Sequence, residues 1–249
     1  MIMSTRDEQR WLKYFGRGKQ AKVHLLCFHH AGGNASMYRD WPGLMPESIQ
    51  PVAVQLPGRL ERFTEAPYDT MDTLLGRLVD VLRPLLGQPF AFYGASMGAR
   101  VAWALTHTLR ERDLPLPRKL YVASCQAPSL DEPHRAVDGS DSSLISYITA
   151  LGGTPPEILA DPYLLSGLLP ALRADLSVLN THAPRPAAPL DVPIRGFAGR
   201  ADADAPPARM MAWRAETSAC FDLNVVDGGH FFSEAGQRQA TALISADLA

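Results

Sequence analysis

The chain has 249 residues, of which 46% are hydrophobic and 20% are charged, and its formal net charge at pH 7 is -2. This balance is typical of one globular domain with a sizeable core. It lacks the basic excess of most nucleic-acid-binding and membrane-surface proteins, so we expect a single domain over residues 1–249 that binds neither.

Short β-rich runs alternate with helical patterns along the chain, which predicts an α/β fold with a mostly parallel sheet covered by helices. The predicted strands are short and mainly apolar, as expected for strands buried on both faces. They span residues 23–28, 51–55, 90–93, 119–123, 193–198 and 221–226. The predicted helices span residues 71–86, 97–112, 207–218 and 233–248.

One interval breaks the alternation. Residues 129–189 separate the fourth predicted strand from the fifth by roughly sixty residues, far more than a normal connection, and contain helical patterns such as residues 170–179. Such an insertion either covers the sheet or forms a lid over an active site. We favour the lid, because the insertion begins after the strand that follows the candidate nucleophile described next.

The strongest motif is G-x-S-x-G at residues 94–98, between a predicted strand and a predicted helix. A serine on such a tight turn has a strained backbone, and its neighbours must be small, which Gly94 and Gly98 provide. The helix start also directs free N–H groups toward the reaction centre. In this context we interpret Ser96 as a nucleophile rather than as a serine buried in a small-residue turn.

A nucleophilic serine needs a histidine base, and in α/β-hydrolases the order along the chain is Ser, acid, His. The histidines after Ser96 are His107, His134, His182 and His230. His107 lies in the helix that Ser96 begins, and His134 and His182 lie in the insertion. His230 follows the last strand in a glycine-rich loop, and is therefore the predicted base.

The acid is expected in the loop after the preceding strand, which contains Asp202 and Asp204. Either aspartate can reach His230, and their spacing alone does not separate them. The other would then serve as a first-turn acid of the following helix. Asp227 lies three residues before His230 on the same loop, and we expect it to shape that turn.

An oxyanion in the transition state needs preorganised N–H donors. The predicted donors are the backbone N–H of Met97, which follows the nucleophile, and that of Ala31. Ala31 lies in the loop His29-His30-Ala31-Gly32-Gly33 after the first clear strand, where the glycines allow the backbone to approach a substrate.

These residues together resemble the type II thioesterases that accompany polyketide synthases and non-ribosomal peptide synthetases. The matching segments span about four fifths of the chain, in the order typical of the family. They are Phe28 to Gly33 with Ser36, Val54 to Arg59 with Glu61 and Arg62, Gly94 to Ala99, Leu169 to Asp175, Gly199 with Asp202, and Gly228 to Phe232.

The resemblance implies an α/β-hydrolase with a helical lid that hydrolyses stalled or wrong acyl groups from the phosphopantetheine thiol of acyl- or peptidyl-carrier domains. It implies a triad of Ser96, His230 and Asp202, since the acid of the family stands three residues after the loop glycine, and oxyanion donors at Ala31 and Met97. No metal or bound cofactor is expected.

Two positions depart from the family's usual pattern. Ala95 stands where histidine is usual, and His29 stands where proline is usual. Neither is part of the predicted triad, so we expect hydrolysis to be retained. Both lie near the expected pocket, so a change in acyl preference or rate is expected there.

Cysteine usage and the first residues indicate a compartment. Cys27, Cys125 and Cys220 lie far apart without metal-like spacing, which favours free thiols in a reducing compartment. Residues 1–22 lack the apolar segment of a secretory signal, and every apolar stretch is shorter than a membrane span. We expect a cytoplasmic monomer.

Other functions are compatible with the same motifs. A carboxylesterase or lipase would use the triad on free oxygen esters, and an acyltransferase would pass the acyl group to an alcohol or amine instead of water. A non-catalytic binding module on a hydrolase scaffold would not require all of Ser96, Asp202 and His230.

Overall fold

The computed structural model describes residues 5–16, 21–130, 140–182 and 187–249. Within this part of the chain lies one seven-stranded sheet in the order β1-β3-β2-β4-β5-β6-β7. Its first strand pairs antiparallel with the third, and all other pairs are parallel. The strands are β1 Leu12–Lys13, β2 Val23–Phe28, β3 Ile49–Val54, β4 Phe90–Ala95, β5 Leu120–Ala123, β6 Ile194–Gly199 and β7 Phe221–Val226.

Helices flank this sheet. They are α1 Thr5–Trp11, α2 Met71–Leu82, α3 Met97–Glu111, α4 Asp141–Leu151, α5 Pro156–Ala160, α6 Pro162–Asn180, α7 Pro207–Met210 and α8 Glu234–Leu248. Short 3-10 helices lie at Ala35–Tyr38, Trp41–Gly43, Leu60–Arg62, Pro128–Leu130 and Met211–Glu216. The predicted fold class, a mostly parallel sheet flanked by helices, is confirmed.

The core has one part on each face of the sheet, because successive strand residues point to opposite faces. Phe28 and Phe92 face α2 and α3, whereas Cys27 and Tyr93 on the same strands face the layer that contains Ile244 of α8. Since β2 to β7 run parallel, the loops after these strands emerge at one edge, where open α/β sheets bind ligands. The candidate residues of these loops are thereby brought to that edge.

Some boundaries differ from the sequence prediction. The strands predicted at 23–28 and 221–226 have the observed bounds, but the single helix predicted at 207–218 is the short helix α7 followed by a 3-10 helix. The three cysteines are free thiols, with Cys27 and Cys125 buried and Cys220 exposed.

The interval between β5 and β6 contains the helices α4, α5 and α6. The Ser140 hydroxyl caps α4 by accepting the N–H of Ser143, and Gly152 ends that helix with a left-handed φ of 76°. Helix α6 begins with an Asp161 cap rather than at Pro170, which lies inside the helix. Residues 131–139 and 183–186 of the predicted insertion lie outside the described residues.

We predict that Phe92→Ala lowers the free energy of unfolding by about 3–5 kcal/mol, the range for truncating a buried phenylalanine. The ring is fully buried and contacts Phe28 and Phe90 with centroid separations of 5.4 and 5.3 Å. Val225→Ala is the control, since Val225 on β7 is 42% exposed and should change stability by less than about 1 kcal/mol. Urea denaturation measures both, and equal losses would contradict this packing.

Candidate active site

Ser96 lies on the sharp turn between β4 and α3. Its φ of 52° and ψ of -117° form a strained conformation for a residue with a side chain. The turn is possible because both neighbouring glycines lack a Cβ: one at Gly94 would collide with the carbonyl of Gly98, and one at Gly98 with the carbonyl of Phe28. This close backbone packing therefore holds the Ser96 side chain at the carboxyl edge of the sheet.

His230 lies between Ser96 and Asp202. Its Nε2 is 3.1 Å from the Ser96 hydroxyl oxygen, and its Nδ1 is 3.2 Å from Oδ2 of Asp202. An ionised carboxylate only accepts hydrogen bonds, so Nδ1–H donates to Asp202 and Nε2 is left to accept the Ser96 proton. This is the arrangement by which a histidine activates a serine.

The loop after β6 positions Asp202 rather than Asp204 beside His230. Oδ1 of Asp202 accepts the backbone N–H groups of Asp204 and Ala205 at 2.9 and 3.0 Å. Burial acts to raise the pKa of this carboxyl, but the hydrogen bonds from His230, Ala205 and Asp204 outweigh it and hold the pKa below its ordinary value. The ionised carboxylate therefore stabilises the fold above its ordinary pKa, and this contribution is lost as the pH falls.

The loop after β7 brings His230 to the site. Gly228 has a φ of 114°, and a Cβ at Gly199 would collide with the carbonyl of Gly229, so the loops after β6 and β7 touch through glycine backbone. The Asp227 carboxylate accepts the Ser233 hydroxyl at 2.6 Å, at the residue that caps α8. Asp227 thus contacts the turn around His230, as expected from the sequence.

Residues 29–33 form a loop beside the start of α3. Phe28 pairs with Gly94 in the sheet, and its carbonyl touches Gly98. No acceptor within the described residues is recorded for the N–H of Ala31 or of Met97. The loop that contains Ala31 therefore begins next to the turn that carries Ser96 and Met97.

The two histidines of this loop are neutral. Carbonyl oxygens only accept, so His29 Nδ1–H donates to the His30 carbonyl at 2.8 Å and His30 Nδ1–H donates to the Ala31 carbonyl at 2.9 Å. Burial, together with the charge of Arg59, lowers the pKa of His29 to about 3, and burial also lowers the pKa of His30. At neutral pH this loop therefore offers backbone dipoles rather than imidazolium charges.

Two of the other candidate histidines, His107 and His182, lie near Trp103 of α3. His107 in α3 accepts Arg110 at Nδ1 over 2.9 Å and packs against Trp103, and burial lowers its pKa to about 4. His182 lies near the same tryptophan, with ring centroids 6.4 Å apart. His134 falls outside the described residues.

Sequence reasoning assigned no role to Arg59 and Asp175, which lie beneath the loop of Ala31. Arg59 donates to the Gly33 carbonyl at 3.0 Å, and Asp175 accepts the Gly32 N–H at 2.8 Å. One sequence feature could have indicated such a role: Asp175 lies on the apolar face of the helical pattern at residues 170–179, and a buried charge needs a partner. The sequence could not identify that partner, because Arg59 is distant along the chain.

Two features are absent from the described residues, a metal-binding cluster and a membrane-spanning helix. No group of three or more His, Cys, Asp or Glu side chains is placed to hold a metal ion in the residues that the structure covers. Among the same residues, no helix has the length and apolar character needed to cross a membrane.

Comparisons with known proteins identify the family of this chain. The family model of the thioesterase domain matches residues 23–246. A relative from Brevibacillus parabrevis, named linear gramicidin dehydrogenase LgrE, is 36% identical over 96% of this chain and 92% of its own length.

Similar solved structures are thioesterases as well. RedJ, a thioesterase from the prodiginine biosynthetic pathway in Streptomyces coelicolor, is 34% identical, with a TM-score of 0.85 over 92% of each chain. BorB, a type II thioesterase from the borrelidin biosynthetic cluster, is 31% identical, with a TM-score of 0.86 over 96% of this chain and 98% of its own.

We predict that Gly98→Ala lowers turnover of an acyl thioester by on the order of 10²-fold, the effect of misplacing reacting groups by about 1 Å, because its Cβ would displace the Phe28 carbonyl. Gly76→Ala in α2 is the matched control, since no side chain or neighbouring element lies within 4 Å of its added Cβ. That variant should keep its turnover and gain about 0.5–1 kcal/mol of stability. Wild-type turnover in Gly98→Ala would show that the close approach is not needed.

Proposed function

Because this chain belongs to the thioesterase family and is a type II thioesterase with the α/β-hydrolase fold, we propose that it hydrolyses acyl thioesters on the phosphopantetheine arm of acyl- or peptidyl-carrier proteins. The observation that carries the chemistry is the chain of contacts from Ser96 through His230 to Asp202. By this activity it removes stalled or aberrant acyl groups from a polyketide synthase or a non-ribosomal peptide synthetase.

The first half-reaction forms an acyl-enzyme. His230 Nε2 takes the Ser96 proton while Oγ attacks the thioester carbonyl carbon. The carbonyl oxygen becomes an oxyanion, which accepts hydrogen bonds from the N–H groups of Ala31 and Met97. When this intermediate collapses, the C–S bond breaks and the thiol leaves with the proton from His230, so that the acyl group remains on Ser96 as an ester.

The second half-reaction uses water. His230 Nε2 takes one proton of a water molecule, and the oxygen of that water adds to the ester carbonyl. The second tetrahedral intermediate collapses to a free acid, and Ser96 recovers its proton from His230. Throughout, Asp202 holds the imidazole in the required tautomer and stabilises the imidazolium that forms in both steps.

A thioester suits this site chemically. Thiols are far more acidic than amines, as the ordinary pKa of about 8.5 of a cysteine thiol illustrates, so C–S cleavage needs less proton donation than release of an amine. The triad and the two backbone donors supply each group that the two steps require, so we propose no metal or bound cofactor. The phosphopantetheine belongs to the carrier substrate.

The choice of substrate and setting is drawn from the relatives. RedJ comes from a biosynthetic pathway and BorB from a biosynthetic cluster. We propose that this chain likewise acts in a biosynthetic pathway. We propose a single α/β-hydrolase domain over residues 1–249, with the helices α4 to α6 as a lid, which acts as a monomer in the cytoplasm beside its carrier partner. We propose that it binds neither nucleic acids nor membranes.

The substrate class is tested by loading one carrier protein with acetyl- or longer acyl-phosphopantetheine and comparing its hydrolysis with that of p-nitrophenyl esters. We expect faster release from the carrier, dependent on Ser96, with free acid as the product. Fast ester cleavage with an untouched carrier would indicate a carboxylesterase, and transfer of the acyl group to an added alcohol or amine would indicate an acyltransferase. Hydrolysis at the wild-type rate by Ser96→Ala would exclude the proposed nucleophile.

We predict that Asp202→Asn lowers kcat by on the order of 10⁴-fold, the effect of the corresponding change in the serine protease triad, because the amide no longer holds the required tautomer. Asp204→Asn is the matched control on the same loop. We expect its kcat to stay within about threefold of wild type, since it is the Asp202 carboxylate that accepts the hydrogen bond of His230 Nδ1. Steady-state kinetics on an acyl-carrier substrate measures both. A larger loss in Asp204→Asn than in Asp202→Asn would reverse the assignment.

A further inference from the structure

The helix α6 of the insertion carries a buried carboxylate. Asp175 is 2% exposed and lies among the buried residues Leu172, Leu176 and Leu179. A charge in such surroundings is strongly unfavourable unless other groups compensate it. Its partners therefore indicate what the position does.

Asp175 forms a bidentate ion pair with Arg59. Nη1 of Arg59 donates to Oδ2 of Asp175 at 2.7 Å, and Nη2 donates to Oδ1 at 2.9 Å. Arg59 is itself buried, at 7% exposure, and its Nε donates to the Pro57 carbonyl at 3.1 Å. The pair thus joins the insertion to the segment after β3 in a fixed geometry.

The same two side chains also hydrogen-bond the backbone of the loop of residues 29–33. Oδ2 of Asp175 accepts the Gly32 N–H at 2.8 Å, while Nη1 of Arg59 donates to the Gly33 carbonyl at 3.0 Å. Gly32 has a φ of 73°, and a Cβ there would lie 3.3 Å from a methyl carbon of Leu172 in α6. This backbone, next to Ala31, is therefore fixed by charged hydrogen bonds and by the packing of α6.

The insertion also touches the loop that carries the base. The ring of Phe231 lies directly against Gly153, the second residue after α4. That ring is 4.8 Å from the His30 ring and 5.3 Å from the His230 ring, centroid to centroid. The loop of residues 29–33 and the loop that carries His230 are therefore both in contact with the insertion.

We infer that Asp175 and Arg59 are positioning residues for the oxyanion hole: the ion pair sets the backbone at residues 31–33, and so makes the hole dependent on the seating of the helix α6. This inference rests on the proposed function, since it concerns the donor at Ala31. Displacement of α6 would remove the acceptor of the Gly32 N–H and also the carboxylate that orients the Arg59 guanidinium toward the Gly33 carbonyl. The lid and the oxyanion hole would then be assembled as one unit.

The kinetic constants distinguish a positioning role from a purely structural role. An oxyanion forms only in the transition state, so a misplaced donor lowers kcat and leaves ground-state binding nearly unchanged. General loss of stability would reduce the folded fraction of the enzyme instead. Stability alone is also a poor explanation of a buried ion pair, because apolar replacements of both partners are often no less stable.

The test compares Asp175→Asn with Asp247→Asn. Asp247 is 17% exposed and pairs with Arg195 at 2.9 Å and Lys119 at 2.8 Å, next to the amino ends of β5 and β6 and so away from Ser96. Each protein is measured for kcat and KM on an acyl-carrier substrate and for its thermal midpoint. It is also measured for binding of two acyl-pantetheine analogues, an unreactive thioether and a trifluoromethyl ketone that forms a tetrahedral adduct with Ser96.

For Asp175→Asn we expect kcat and trifluoromethyl ketone affinity to fall together by on the order of 10²–10³-fold, as when an oxyanion donor is lost. Its KM and its thioether affinity should stay within about threefold of wild type. For Asp247→Asn we expect a lower thermal midpoint with kcat per folded enzyme unchanged.

If Asp175→Asn does not fold, the double variant Arg59→Met/Asp175→Leu replaces it, since it removes both buried charges together, and the same kinetic losses are expected. Wild-type kcat in a folded variant, or equal losses of ketone and thioether binding, would overturn the positioning role while leaving the proposed function intact. Wild-type hydrolysis that survives Ser96→Ala would instead overturn the proposed function, and this inference with it.

Discussion

Ser96 has a left-handed φ of 52°, and the surrounding structure must hold a residue with a side chain in such a conformation. The support comes from backbone contacts: Gly98 lies against the Phe28 carbonyl, and Gly94 lies against Gly98. Because these contacts join β2, β4 and α3 without intervening side chains, they also fix where the loop after β2 begins. The candidate oxyanion loop is therefore held in place by the same contacts that strain the candidate nucleophile.

Two buried carboxylates near this turn, Asp202 and Asp175, are each compensated by hydrogen bonds. Asp202 is compensated by His230 and by two backbone N–H groups, and Asp175 by Arg59 and one backbone N–H. The adjacent His29 is kept neutral by burial, with its pKa lowered to about 3. In a site from which water is largely excluded, fixed dipoles and paired charges interact strongly with the charge that develops in a transition state. The protein then needs little reorganisation during the reaction.

Local patterns predicted much of this fold and site. The strands and the elbow at Ser96 follow from apolar runs and glycines, which are local in sequence. Within the insertion the sequence indicated a helical pattern at residues 170–179, and α6 is longer, with Pro170 inside it. A proline inside a helix is tolerated here because the apolar face of α6 is buried. Asp202 and Asp204 could not be separated by spacing, since only the folded loop shows which one the N–H groups direct to His230. The Arg59–Asp175 pair depends on tertiary packing and is invisible to local patterns.

The central claim is that Ser96 carries the acyl group between two half-reactions. Rapid acid quenching of the enzyme during its first turnover of an acyl-carrier substrate, followed by peptide mass analysis, tests this most directly. We expect a transient acyl ester on the peptide that contains Ser96, formed at the rate at which the carrier thiol is released. Release of thiol and acid together with no acylated Ser96 peptide, or an acyl group on another residue such as Cys125, would contradict it.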